Sequence, residues 1–355
     1  MTDKFPLFRL PYVALQEVLN QVRPEAILPL SLCSKRSNLR VKHSQERRKD
    51  RNINLNVSEN VMQVNGDPII SVNAVSSLPT DLKTVIVGSH VVPVEMKDKT
   101  LQTYWLDKKE GLKEVINYTL DVFNRELYSI SAYDGVSSDD VQYCLEWIKT
   151  RQGTLRQLFL FSKVDDGLLM YILESDIVTG VLDLVATSSS SEFRGPPPRP
   201  YSIDHLFLLQ ANWVTLDHLL AMDVKQIVLK YSSLTCQQIN VFLKKWINGE
   251  CSKRIKVLYV ETYNIWNDDV LMDGIDVNRR DPNLKRDYVS PARQIATLGY
   301  SINDCRFDGV ENMFGGLDIK RKEDGAMATI VNQPQGMLNR LTIVFWPDYK
   351  GNPYH

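Results

Sequence analysis

The chain has 355 residues, 43% hydrophobic and 24% charged, with a formal net charge of −1. That length allows a large core or several units, and the apolar–charged balance is that of a globular chain rather than a disordered one. Near-neutrality argues against a general nucleic-acid binder, in which Lys and Arg are in marked excess.

Five cysteines, at 33, 144, 236, 251 and 305, are odd in number, scattered and without metal-ligand spacing. This suits a reducing compartment. No basic–apolar–small signal pattern opens the chain, and no apolar run approaches a membrane span. Cytosol or nucleus is the expected address, with no membrane partner. The sequons at Asn56 and Asn117 then read as chance.

The first elements are helical. Leu10 is pushed into an extended conformation by Pro11, and Pro11 can open a helix, where its missing N–H costs nothing. Leu15, Val18, Leu19 and Val22 follow at i, i+3, i+4, i+7, one face of a helix. Pro24 and Glu25 start a second helix, with Ile27 and Leu30 on one side and Leu28 and Leu32 on the other. A segment of about 40 residues rarely builds a sufficient core alone. One face should therefore pack within the pair and the other against the rest of the chain or a partner. Pro29 lies inside the second helix, where a lost hydrogen bond and a clash cost about 3 kcal/mol. A kink or weakened docking is the expected consequence.

The series Leu10-Pro11, Leu15, Val18-Leu19, Pro24, Ile27, Leu30 and Cys33-Ser34-Lys35-Arg36 resembles an F-box. Phe5 to Pro11 together with Leu30 to Arg36 is close to the form found in nematode F-box proteins. The resemblance implies that residues 1–42 dock a Skp-family adaptor and, through it, a cullin and a RING subunit. The adaptor contacts it implies are Leu10, Pro11, Leu15, Val18, Leu19, Ile27, Leu30 and Leu32. A helical cap with no such role is the alternative.

Lys35 to Arg51 holds eight Lys/Arg against Glu46 and Asp50. It reads as a solvated helix tail and linker, with a nuclear address or phosphate-binding arm as the functional alternative. Residues 43–110 are expected to form a linker and a small β region. Ile53 to Val57 alternates with period two, and Val61–Val64, Asn65-Gly66 and Pro68–Ile70 spell a hairpin with its turn. Thr84–Val87, His90–Val92 and Leu101–Trp105 add further strands. His90, alone among valines, reads as a strand residue rather than a ligand.

From 111 to 263 the rhythm changes. Leu112 to Phe123 is helical. Apolar strands then start at Leu127, Gln157, Gly180, His205, Gln226 and Ile255, spaced by 30, 23, 25, 21 and 29 residues. Helices over Ser138–Lys149, Thr215–Met222 and Thr235–Ile247 lie between them, with Ser138 and Thr235 suited to capping. One strand and one helix per 20–30 residues is the pattern of a leucine-rich-repeat-like solenoid with a parallel sheet. An ordinary α/β domain has the same alternation, and no strict L-x-x-L-x-L consensus recurs. Ser188 to Pro200 is serine- and proline-rich and is expected to be an exposed or disordered loop.

Residues 206–263 carry a second resemblance. Ala211, Trp213 and Thr215, then Asn240, Phe242, Leu243, Lys244, Trp246 and Gly249, are similar to the nematode type 2 F-box-associated domain. In the chain's own terms Ile239, Phe242, Leu243 and Trp246 form a helix stripe, which assigns them to folding rather than recognition. The resemblance implies that residues 264–355 complete that domain. Asp273–Arg286 is a polar loop, Gly316–Arg321 and Ala326–Ile330 form a hairpin about Asp324-Gly325, and Leu341–Trp346 is a buried strand. An arginine, an Asp-Gly turn and a closing tryptophan agree with the end of the same family pattern.

No Walker loop, G-x-G-x-x-G, H-E-x-x-H or G-x-S-x-G motif is present. The pairs Asp139-Asp140, Asp165-Asp166 and Asp268-Asp269 read as turn or cap residues, and a hydrolase built on such a pair is the weak enzymatic alternative. Cys251 stands near Lys253 and Arg254, but no base is placed beside it. No catalytic residue, cofactor or metal is expected. The fold class is α/β: a short helical F-box, a leucine-rich-repeat-like βα domain with a parallel sheet, and antiparallel hairpins. The function implied is the substrate receptor of a cullin–RING ubiquitin ligase, binding an unknown protein target. The alternative is a repeat-type interaction scaffold without a ligase role.

Overall fold

The computed structural model of the chain describes residues 7–188, 193–289, 310–335 and 337–346. Phe5 and Pro6, part of the Ser188–Pro200 stretch and Cys305 lie outside the described residues. The chain divides into two compact units, Met1–Leu155 and Arg156–His355.

The first unit opens with three helices, α1 (Tyr12–Gln21), α2 (Pro24–Leu32) and α3 (Lys35–Gln45). Ser34 caps α3, its Oγ accepting the Ser37 N–H at 3.1 Å. α2 runs as one helix through Pro29. β1 (Ile53–Asn56), β2 (Val61–Val64) and β3 (Asp67–Ala74) form an antiparallel meander. Its turn residues Asn65 and Gly66 both have positive φ, 53° and 94°, the conformation a tight hairpin needs. β4 (Lys83–Val87), β5 (His90–Lys97) and β6 (Thr100–Trp105) follow, then α4 (Lys108–Phe123), β7 (Leu127–Tyr133) and α5 (Ser138–Arg151). The strands of this unit lie in the order β7–β1–β2–β3–β6–β5–β4. β1–β7 and β3–β6 are parallel and the other pairs antiparallel.

α2 and α4 both pack on β3 and β6. The second apolar face of α2 is therefore covered by this chain's own sheet, with Ile27 and Leu28 fully buried. Tyr118 of α4 ties the helices together, its hydroxyl bonded to Ser31 at 2.8 Å and accepting from Asn38 at 3.0 Å. The basic stretch is structural in part. Buried Arg51 lies over Phe123 and donates to Gln45 and to the Val22 carbonyl, while Arg48 donates to the Asn20 carbonyl at 2.6 Å.

The second unit begins with β8 (Leu155–Phe161, of which Leu155 belongs to the first), β9 (Lys163–Val164), α6 (Asp166–Glu174), β10 (Val178–Leu184) and β11 (Thr187–Ser188). β12 (His205–Leu208), α7 (Leu216–Ala221), β13 (Gln226–Leu229), α8 (Cys236–Ile247) and β14 (Val257–Thr262) follow. Then come α9 (Asp268–Leu271), β15 (Asn278–Arg279), β16 (Lys285–Val289), β17 (Val310–Phe314), β18 (Leu317–Lys320), β19 (Met327–Gln335) and β20 (Leu338–Phe345). The sheet order is β8–β10–β12–β13–β14–β20–β19–β18–β15. β10, β12, β13 and β14 pair in parallel, in chain order, and β20 closes on β14 antiparallel. The class is mixed α/β, with parallel strands and antiparallel hairpins side by side.

One expectation needs correction. The polar run Asp273–Arg286 is not all loop: β15 pairs with β18, and Lys285 and Arg286 begin β16, which pairs with β17. Backbone pairing there overrides a composition without apolar alternation. From 193 to 200 the proline-rich stretch is a loop with Arg194, Pro197, Pro198 and Pro200 exposed, but it is anchored at two residues. Gly195, at φ +67°, lies against the Trp213 ring, where a Cβ would come within 2.2 Å. Pro196 is buried, and its carbonyl bonds His218 Nε2 at 2.8 Å.

Candidate protein-interaction site

Each adaptor-contact residue implied by the sequence lies in or beside α1 and α2. Leu15, Leu19 and Ile27 are buried at 2%, 0% and 0% exposure. Leu10, Leu30 and Leu32 are half-buried, and Pro11 and Val18 are exposed. The i, i+4 spacing of Leu15 and Leu19 thus serves the packing of α1 within the unit. What α1 offers outward is a different set, Tyr12, Val13 and Val18, with Leu39 exposed on α3. Tyr12 is steadied by Arg40 over its ring at 5.7 Å and by His43 at 5.9 Å.

The residues of the second resemblance form framework. Ala211 is fully buried. Trp213 packs edge-on against His218 at 5.2 Å and against Phe193 at 6.1 Å. Thr215 starts α7 with a reciprocal capping box to His218. Asn240 donates to the carbonyls of Leu271 and Asp273 at 2.8 and 3.0 Å, pinning the turn after α9 to α8. Phe242 and Trp246 meet Phe345, with ring centroids at 6.4 and 5.1 Å. Arg321 lies over Trp246 at 5.2 Å and forms a two-bond pair with Asp324, which holds that carboxyl well below the usual carboxylate range. A second ionic cluster is buried. Arg286 donates to Asp318 at 3.1 Å, to Thr329 at 2.9 Å and to the Gly315 carbonyl at 2.9 Å, and Trp346 Nε1 donates to Thr329 at 2.9 Å.

The carboxylate pairs occupy helix starts. Asp165 caps α6, accepting the Leu168 N–H at 2.8 Å; Asp140 pairs with Lys108 at 2.7 Å; Asp268 and Asp269 sit in the first turn of α9. Burial pushes the Cys251 thiol up to about 11, the opposite of a nucleophile. In the first unit His90, Glu110 and Glu114 bring donor atoms within 4.8 Å of one another. His90 also packs edge-on to Trp105, and Glu110 pairs with Lys113.

In the parallel sheet, Asp183, Phe207, Val228 and Tyr259 stand in register on successive strands. Asp183 is buried with Oδ1 unpaired, and burial raises its carboxyl to about 7. On the same strands His205 is buried and drawn down to about 4.

Past the carboxyl ends of β12, β13 and β14 a cleft of about 600 Å³ opens. Its lining comprises Phe193, Gln210 and Asn212, then Tyr231, Ser232 and Ser233, then Thr262, Tyr263 and Asn264. The carboxyl ends of parallel strands are the usual ligand edge of an open α/β sheet. Tyr231 and Tyr263 stack at 6.0 Å and 28° and are both exposed. Tyr231 holds φ +49°, an outlier for so bulky a residue.

Residues 200–260 match the family model described as F-box associated. The chain carries a type 2 F-box-associated domain. The match spans β12, α7, β13 and α8 and reaches into β14, and Trp213, Phe242 and Trp246 build its core. Over 78% of its length the chain is 22% identical to the E3 ubiquitin-protein ligase hecw-1 of Caenorhabditis elegans, and spans 24% of that protein. Over 98% of its length it is 22% identical to the uncharacterized protein F59B2.8 of Caenorhabditis elegans, of which 79% is covered. No solved structure matches. Among the described residues no helix is long and apolar enough to cross a membrane.

Sequence reasoning missed the cleft. The available signal was the tyrosine just beyond each of two strand ends, Tyr231 after Leu229 and Tyr263 after Thr262. Only the parallel register of β13 and β14 brings the two together.

Proposed function

We propose that this protein is the substrate-receptor subunit of a cullin–RING ubiquitin ligase. It binds a Skp-family adaptor through its N-terminal helices and a protein target through the F-box-associated domain. The carrying observation is the F-box-associated match downstream of a leucine–proline helical module whose α1 leaves Tyr12, Val13 and Val18 uncovered. The ubiquitin-ligase name of one relative supports the same pathway. In this reading Leu15, Leu19 and Ile27 hold the module's shape, and Pro11 and Val18 reach the adaptor with the exposed edges of Leu10, Leu30 and Leu32. The chain-order parallel strands β10, β12, β13 and β14 act as leucine-rich-repeat-like units that carry the target-binding edge. The receptor supplies proximity and orientation, not bond chemistry.

The test is a binding titration of purified Skp-family adaptors against the full chain and its Val13→Glu/Val18→Glu variant. Both sites are exposed, so the variant should keep its melting temperature while affinity falls at least about tenfold, the cost of burying unpaired charge at an interface. No adaptor bound by the wild type, or equal binding by the variant, overturns the proposal. The second reading, an interaction scaffold without a ligase role, draws on the packing of α2 against β3 and β6, which makes the helices a cap for this unit. It predicts no adaptor binding at all.

A further inference from the structure

We infer that the cleft beyond β12, β13 and β14 is the target-recognition site, and that it takes an uncharged, extended peptide segment bearing an aromatic or proline ring. The inference rests on the receptor reading and names the ligand class of its target-binding face.

Four observations converge. First, no charged side chain lines the cleft among the described residues. The nearest charges along β13 and β14, Lys230 and Glu261, are largely buried and 4.0 Å apart, and Tyr259 donates to Glu261 at 2.8 Å. A charged ligand group would be desolvated there with no counter-charge, which is costly. Second, the stacked Tyr231–Tyr263 pair makes a flat platform at the mouth. An incoming ring gains apolar contact and an offset stack on it. Ile265, next in the chain to the lining residue Asn264, is 80% exposed, and an uncovered apolar side chain there favours peptide side chains over a sugar.

Third, polar groups are left over. Ser233 donates to the Asn212 carbonyl at 2.7 Å, Ser232 accepts from the Leu234 N–H at 3.2 Å, and Thr262 accepts from the Asn264 N–H at 3.1 Å. The hydroxyls are thus engaged in shaping the loops. Among the described residues the side-chain amides of Gln210 and Asn212 donate to nothing, and both residues are exposed. They are placed to bond the carbonyls of a peptide backbone. Tyrosine, serine and asparagine in this mixture also compose antibody paratopes, because rigid rings supply contact area at low entropy cost while small polar groups adapt. Fourth, Tyr231 occupies the left-handed region at φ +49°. That costs stability, and such strain collects at binding sites. Here the strained turn presents the ring that faces Tyr263.

The experiment pans a phage-displayed library of short random peptides on the full chain and titrates an enriched peptide by fluorescence polarisation. The expected consensus is an uncharged core around Trp, Tyr, Phe or Pro. Tyr263→Ala, at a 66% exposed position, should weaken that peptide at least about tenfold with no change in melting temperature. Tyr231→Gly should weaken it similarly while the melting temperature holds or rises, because glycine suits the backbone there. A consensus built on charged residues, no enrichment, or binding that survives both variants overturns the inference. So does ligand capture on a glycan array without peptide binding. Adaptor affinity is read on the same variants. Adaptor binding without peptide binding sinks the cleft alone, and peptide binding without adaptor binding sinks the receptor reading alone.

Discussion

Asp183 is a buried acid whose proton the fold holds up to about pH 7, and its replacement by Asn should make the protein more stable than the wild type in alkali. It lies on β10 in register with Phe207, beside the apolar row Phe207, Val228 and Tyr259. Its Oδ1 has no partner, and desolvation raises the carboxyl from 3.8 to about 7. In the unfolded chain the group ionises near 3.8; in the folded chain it holds its proton to about 7. Below the lower value both states are protonated and stability is unaffected. As pH rises between the two values the unfolded state alone releases the proton, so stability falls. At about 1.4 kcal/mol per pH unit, the gap amounts to roughly 4 kcal/mol above pH 7. Asp183→Asn is nearly isosteric and does not ionise. Urea unfolding followed by tryptophan fluorescence should show the wild type losing about 3 kcal/mol more than Asp183→Asn between about pH 5 and about pH 8. Parallel stability–pH curves for the two proteins would refute the reasoning.

The buried pair in the second unit should behave in the opposite sense. Arg286 and Asp318 are each 2% exposed in their side chains, and Arg286→Ala leaves the buried carboxylate with Arg280 as its remaining cation and Thr329 as its remaining hydroxyl donor. A loss of about 1.5–3 kcal/mol is expected, the worth of hydrogen bonds to a charged group, read as a lowered urea midpoint. Thr235→Ala removes the Oγ1 that accepts the Gln238 N–H at 3.3 Å and half of a capping box on α8. It should cost about 1 kcal/mol, seen as a small drop in melting temperature that Thr235→Ser restores.

Periodicity and punctuation made much of the fold legible. Alternation and Asn65-Gly66 placed the β2–β3 hairpin, because a turn that needs two positive φ values leaves few residue choices. The cap at Thr235 was readable for the same local reason; Ser138, expected to cap α5, is instead its first helical residue, and Ser137 before it makes no side-chain capping bond. The stripe Ile239, Phe242, Leu243, Trp246 declared its burial, since a helix with one apolar face must turn it inward. Arg286 could not be read in this way. It stands in a polar run, and what buries it is a carboxylate 32 residues later in the chain together with Thr329.

The chain's local chemistry by itself determined the helical N-terminal module, the strand–helix alternation and the core of the F-box-associated domain, because those depend on spacings within a few turns. Tertiary structure alone decided which side of the module is free. The leucines at i, i+4 in α1 are buried and Tyr12, Val13 and Val18 are not, while the second face of α2 lies on β3 and β6. Tertiary structure also made the cleft, since Tyr231 and Tyr263 lie on different turns and meet only through the register of two parallel strands. A side chain's period can be read from its neighbours in the chain; its exposure, and the company it keeps across a sheet, depend on contacts distant in sequence.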